Sequence, residues 1–152
     1  MSSDFKTNTT MDTARILLVD DEVVLADAYA QQLRFVGFTV DVAHNGADAL
    51  SLARAKDYDA VVSDILMPIM DGQEFYEKLR GYKPGLADRL IFMTAYSSMM
   101  SQVTQKFVRS THADLRKPFT FDQLLNSLSK VVPAYRWPKK PDPEKQATTD
   151  KK

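Results

Sequence analysis

Apolar residues arrive along this chain in short runs, and the runs differ in period. Ile16-Leu17-Leu18-Val19 is continuous and apolar, the mark of a strand buried on both faces. Leu25, Tyr29, Leu33 and Val36 then recur at helical spacing over Val23 to Val36, and Gly37 is placed to end that helix. Phe38, Val40 and Val42 alternate with Thr39 and Asp41, which predicts an edge strand. Asn45 is a helix cap for a segment running to about Ala55. A second buried-type strand covers Asp59 to Asp64, and Met67-Pro68 breaks the chain after it. A short helix with Phe75 and Leu79 inward follows Gly72.

The same alternation continues. Leu90 to Thr94 reads as a fourth strand, and residues 98 to 109 as a helix with Met99, Val103 and Phe107 on one stripe. Ala113 to Arg116 is a short fifth strand. Thr120 and Gln123 match a capping box that opens a helix through Leu124, Leu128 and Val131. Strands alternating with helices imply an α/β parallel sheet covered on both faces, and strand starts about 20 to 25 residues apart leave room for one crossover helix each time. Residues 1–13 are polar and read as a loose arm. The domain spans 14–133. From 134 to 152 the strand–helix pattern stops: Pro138, Pro141 and Pro143 arrive with Lys139, Lys140 and Lys145, which predicts a flexible tail or linker.

Composition narrows the class. An apolar fraction of 44% suits a single soluble domain of 152 residues. The formal net charge is zero, which argues against bulk electrostatic binding to nucleic acid or anionic lipid. With no cysteine, thiolate metal sites and cysteine nucleophiles are excluded. The N-terminus has no apolar signal core, and no run approaches the roughly 18 apolar residues of a spanning helix, so a cytoplasmic location is expected.

The candidate chemistry lies at strand ends. Asp20 and Asp21 close the first run, Asp64 the third, Thr94 the fourth, and Lys117 follows the fifth. Ligands of open α/β sheets bind at the carboxyl ends of strands. Clustered carboxylates resist desolvation unless a cation joins them, and a small all-oxygen set suits Mg²⁺. A carboxylate beside such a cation can act as nucleophile towards phosphorus, with a lysine and a hydroxyl neutralising the phosphoryl oxygens. Taken singly, each residue has a plain structural role: Asp20 or Asp21 a cap, Lys117 a surface lysine, Asp71-Gly72 a turn, His44 and His112 structural. Only their joint occurrence points to a site.

Leu18-Val19-Asp20-Asp21-Glu22, Asp64-Ile65-Leu66-Met67-Pro68-Ile69-Met70-Asp71-Gly72, Thr94-Ala95 and Lys117-Pro118-Phe119 together resemble the receiver domains of two-component response regulators, over roughly residues 15 to 132. The resemblance implies a flavodoxin-like (βα)5 fold with strand order 2-1-3-4-5. It implies Asp64 as the acceptor of phosphate from a histidine kinase or phosphotransfer protein. Mg²⁺ would be held by Asp21, Asp64 and the Leu66 carbonyl, with Asp20 acting through water. Lys117 and Thr94 would contact the phosphoryl oxygens, the Ala95 N–H would donate as well, and a cis bond would precede Pro118. Output would pass through a downstream protein target rather than DNA or a membrane, and the domain would not be an enzyme in its own right.

One position departs from the family. An aromatic switch residue often stands three positions before the lysine, and Asp114 is there instead. The stretch from Phe107 to Lys117 is similar to receivers attached to hybrid sensor kinases. Leu66 and Tyr96, bordering the path of a hydrolytic water in this family, are bulky, which implies slow loss of the phosphoryl group. Two rival readings stand beside this one. Haloacid-dehalogenase-like phosphatases also use a strand-end aspartate, but carry Asp-x-Asp where this chain has Asp20-Asp21-Glu22. A receiver-like module that is never phosphorylated is the other.

Overall fold

The structure, a computed structural model, describes residues 13–95, 101–110 and 114–139. Five parallel strands form one sheet: β1 (Arg15–Val19), β2 (Thr39–Ala43), β3 (Ala60–Asp64), β4 (Leu90–Thr94) and β5 (Asp114–Arg116). Their order is β2-β1-β3-β4-β5, as the resemblance implies. The helices are α1 (Val23–Phe35), α2 (Gly46–Ala55), α3 (Gly72–Tyr82), α4 (Gln102–Ser110) and α5 (Phe121–Val131). β2 is an edge strand, paired with β1 from Arg15↔Thr39 to Val19↔Ala43.

Strand alternation splits the core in two. Ile16 and Leu18 point to the layer with α1 and α5, where Ala26, Leu33, Leu124 and Leu128 meet them. Leu17 and Val19 point to the opposite layer, against Leu50, Phe75 and Leu79. Because β1 and β3 are buried on both faces, their continuous apolar runs are what the packing demands.

Local chemistry ends and starts the helices as the sequence predicts. Asn45 accepts from the Asp48 N–H at 2.8 Å. Thr120 and Gln123 close a reciprocal capping box, with bonds of 2.8 and 3.1 Å. Gly37, just past α1, has φ +112°, the backbone region that glycine enters without steric cost.

Three features differ from the sequence reading. The buried face of α1 runs through Ala26, Ala30 and Leu33, while Leu25 and Tyr29 flank it and Val36 is largely exposed. Alanines let the helix lie close to the sheet, so two of the three residues that mark the contact are small. A one-turn helix, Pro84–Ala87, buries Leu86 and Ala87 and is too short to show a period. The third difference concerns the chain after α5. Residues 134–138, expected to be loose, pack back on the domain through a 3-10 turn, Ala134–Arg136. Met99, His112 and Ala113 lie outside the described residues, as do 1–12 and 140–152.

That C-terminal segment forms a strap at the end of the sheet opposite the carboxylate cluster. Arg136 makes a two-pronged contact with Asp59, at 3.1 and 2.9 Å. Its carbonyl accepts from the Ala14 N–H at 2.8 Å. Trp137 donates from Nε1 to the Val132 carbonyl at 3.0 Å and meets Phe38 edge-on at 5.2 Å. Burial alone would raise the Asp59 carboxyl, but Arg136 and the Arg15 N–H outweigh it and hold it below the usual range.

The strap is therefore expected to stabilise the domain. Trp137→Ala should cost about 2 kcal/mol, through lost ring packing and an orphaned carbonyl. Arg136→Ala should destabilise at pH 7. Because the Asp59 pKa is depressed in the folded state, that pair's contribution is present above the ordinary carboxylate range. It is lost as pH falls through the folded value, so the variant and parent should converge in acid. Denaturant unfolding at neutral and acid pH checks both points; equal midpoints at pH 7 would refute the strap.

Candidate functional site

Sheet topology brings the strand ends together. β1 and β3 are neighbours, with Val19 beside Ser63, so the residues that follow them emerge side by side. β4 lies next, then β5, whose exit carries Lys117. Asp21, Glu22, Asp64, Leu66, Thr94, Ala95 and Lys117 line one cleft of about 280 Å³. Among the described residues, Asp20, Asp21, Asp64, Leu66, Thr94, Ala95 and Lys117 are all at this edge, as the sequence predicts. Tyr96 lies outside the described residues, and the side chain of Asp114 is likewise not described.

Lys117 is the centre of the cluster. Its Nζ donates to Asp20 Oδ2 at 2.9 Å and to Asp64 Oδ2 at 3.1 Å, and lies 3.5 Å from Glu22 Oε1. Its backbone N–H donates to the Thr94 carbonyl at 2.8 Å, which fixes where the side chain starts. The Lys117–Pro118 bond is cis, as the resemblance implies. Burial works against the ammonium charge, but the bond to Asp20 and the charges of Asp64 and Asp20 outweigh it, and its pKa rises above the ordinary lysine value.

The carboxylates are held differently. Asp20 is fully buried; Oδ1 accepts from the Glu22 N–H at 3.0 Å while Oδ2 takes the lysine. Asp20 thus braces the turn into α1 rather than capping its first amides. His44 Nδ1 lies 3.0 Å from the Asp20 carbonyl, the structural role expected of it. Asp64 accepts from the Ile65 N–H at 2.8 Å through Oδ1. Burial pushes its carboxyl up to about 6, with Lys117 pulling the other way and Asp20 adding repulsion. Carboxylate oxygens of Asp20, Asp21 and Asp64 all lie within 4.8 Å of one another. That is a spacing and donor set a small hard cation fits. Thr94 Oγ1 is buried in the same region without a hydrogen-bond partner among the described residues. An idle buried hydroxyl is costly, and a ligand oxygen would satisfy it.

The β3–α3 loop closes one side. Asp71 caps α3 through the Glu74 N–H at 2.9 Å, and the Gly72 N–H donates to the Ile65 carbonyl at 2.7 Å. A Cβ on Gly72 would collide with the Asp64 carbonyl and approach Ile65 Cα within 2.9 Å. Asp71-Gly72 is therefore more than a turn: the glycine lets α3 start directly against the backbone of Asp64. Ile69 takes φ +73° in a three-residue turn closed by Met70 N–H to the Pro68 carbonyl, 2.8 Å. Its side chain and that of Leu66 project into solvent. Sequence reasoning missed Glu22 as a lysine contact and Gly72 as a close-packing residue. The first had a signal in the acidic triplet; the second had none without the third dimension.

Comparison with known proteins agrees with this geometry. The response regulator receiver domain family matches residues 16–129, and the chain belongs to that family. It is 35% identical over 122 residues to the response regulator MprA of Mycobacterium tuberculosis, an alignment covering 79% of this chain and 51% of that protein. It is similar to the response regulator TrrA of Thermotoga maritima, solved in complex with Mg²⁺-BeF: 32% identity, TM-score 0.68, 79% of this chain and 100% of that one. It is also similar to the receiver domain of a Pseudomonas aeruginosa sensor histidine kinase with a magnesium ion in its active-site cleft: 26% identity, TM-score 0.68, 78% and 97% covered. The chain spans about half the length of the curated relatives it matches. Among the described residues no helix is long and apolar enough to cross a membrane.

A raised Asp64 pKa carries a stability consequence. Ionised Asp64 costs folding free energy; the cost is full above about 6, shrinks as pH falls below that value, and is gone only below the ordinary carboxylate pKa. Asp64→Asn without divalent cations should therefore be more stable than the parent at pH 7, by on the order of 2 kcal/mol. The gap should narrow below pH 6 and close only near the ordinary carboxylate pKa, about 4. Thermal unfolding across that range measures it; a less stable variant at pH 7 would contradict the electrostatic picture.

Proposed function

We propose that this domain is a phosphorylation switch in which Asp64 accepts a phosphoryl group from a histidine kinase or phosphotransfer protein. The observation that carries the reading is Lys117 bridging Asp20 and Asp64 beside a buried Thr94 hydroxyl that has no partner among the described residues. An Asp64 oxygen forms the new bond to phosphorus as the donor's P–N bond breaks, and the electron pair leaves with the imidazole nitrogen. Lys117 turns its charge from the carboxylates to a phosphoryl oxygen. Thr94 donates to a second oxygen, with the Ala95 N–H close by in the same cleft. Asp21, Asp64 and the Leu66 carbonyl would hold Mg²⁺, and buried Asp20, already committed to Lys117 and Glu22, would act through water. Bound Mg²⁺ supplies charge neutralisation that lets a phosphoryl anion approach a carboxylate.

The domain is not a turnover enzyme on this reading. Glu22, where a phosphatase would carry its second aspartate, instead faces Lys117 at 3.5 Å. Output passes through a protein partner in the cytoplasm, as charge added at the sheet edge shifts a two-state surface. A second reading, the receiver of a longer regulator, is favoured by the half-length match to MprA.

Incubation with a small acyl phosphate and Mg²⁺, read by intact mass, tests the assignment. The parent chain should gain one phosphoryl group and Asp64→Asn none; incorporation in that variant would move the nucleophile elsewhere. Lys117→Ala should keep its Mg²⁺ affinity while losing response to beryllofluoride. Mg²⁺ affinity should fall as pH drops through about 6, since protonated Asp64 is no ligand. Calorimetry roughly one unit or more to either side of that value, at about pH 7.5 and about pH 5, distinguishes this from a pH-independent site.

A further inference from the structure

The proposed function leaves one arrangement unused. Tyr29, on α1, stacks on Phe119 with ring centroids 4.9 Å apart and planes inclined by 20°. Both rings are half-buried against the core layer beneath α1 and α5. They join the two segments that carry opposite charges in the cleft. α1 follows directly on Asp20, Asp21 and Glu22, and Phe119 stands two residues after Lys117. We propose that the Tyr29–Phe119 stack is a positioning pair that holds Lys117 in register with Asp20 and Asp64.

The backbone explains why a clamp is needed there. On its N-terminal side Lys117 is anchored by its own N–H on the Thr94 carbonyl. On its C-terminal side the next anchor is the Thr120 N–H on Gln123, inside the capping box. Between them the loop is held by Phe119, and Phe119 is held by Tyr29. A lysine side chain has several free torsions, so its ammonium reaches two carboxylates at 2.9 and 3.1 Å only if its Cα is fixed. The phenol is near enough to feel the site: burial raises its pKa, Lys117 opposes that, and Asp20, Glu22 and Asp64 add to it. The ring face, rather than the hydroxyl, makes the observed contact.

This inference rests on the phosphoacceptor reading of Asp64, and the test separates the two. Initial rates of phosphorylation by a small acyl phosphate, beryllofluoride affinity and Mg²⁺ affinity are measured for the parent, Tyr29→Phe, Tyr29→Leu and Phe119→Leu. Leucine keeps an apolar side chain in place without the stack, which guards against unfolding. Both leucine variants should lose about tenfold in rate and in beryllofluoride affinity, since a misplacement near 1 Å is enough for that. Their Mg²⁺ affinity should stay at the parent value, and Tyr29→Phe should match the parent throughout. A parent chain that takes no phosphate overturns the function and this inference with it. A parent that is phosphorylated at a rate the leucine variants share overturns the inference alone. Equal losses in Tyr29→Phe and Tyr29→Leu would assign the effect to the hydroxyl and overturn the stack. A parallel loss of Mg²⁺ affinity would reduce the pair to general packing.

Discussion

A single buried ammonium makes this site possible. Asp20 is fully buried and Asp64 nearly so, and their strands place them side by side. Two desolvated carboxylates at that separation repel and cost several kcal/mol each unless a cation is shared between them. Lys117 supplies it from a loop 97 residues beyond Asp20 in the chain. The pairing is therefore a product of topology. Only a sheet that places β1 beside β3, with β4 and β5 following, brings the lysine to that edge. Breaking the lysine contact leaves uncompensated buried charge, which explains why the same group that completes the fold is also poised to follow a change in charge at Asp64.

Around that cation the structure is rigid on one side and unfinished on the other. The β3–α3 loop is pinned by Gly72 on the Ile65 carbonyl, by Gly46 on the Met70 carbonyl and by the cap at Asp71. Ile69 accepts an unfavourable positive φ within this frame, a cost of about 1–3 kcal/mol that the surrounding bonds must offset. Opposite lies Thr94, its hydroxyl buried and without a partner among the described residues. The held loop fixes Asp64; on the proposed reading the idle hydroxyl gives an arriving phosphoryl oxygen something to capture. A change of charge at the sheet edge thus has a built-in direction in which to pull.

Much of this was legible in the chain, for identifiable reasons. The runs ending at Val19, Asp64 and Thr94 read as buried strands because both faces of a parallel sheet are covered. Asn45 and Thr120 announced helix starts because caps are local chemistry. The strand-end acids, Thr94 and Lys117 were recognisable as a set through their order and spacing. What escaped was long-range or small. The contact face of α1 is built on Ala26 and Ala30, which carry little weight in a reading of large apolar side chains. The strap at Arg136 and Trp137 depends on Asp59 and Phe38, far away in sequence, and its proline-rich setting reads as linker. Gly72 against Asp64 and Tyr29 against Phe119 are contacts between elements, and no local pattern encodes them.

The most direct measurement is a structure of the domain with Mg²⁺ and beryllofluoride bound at Asp64. The account predicts that Lys117 Nζ and Thr94 Oγ1 each come within hydrogen-bond distance, about 3 Å, of the mimic's fluorides, and that Lys117 loosens from Asp20. A bound mimic with Thr94 still unpartnered and Lys117 still bridging both carboxylates would contradict it.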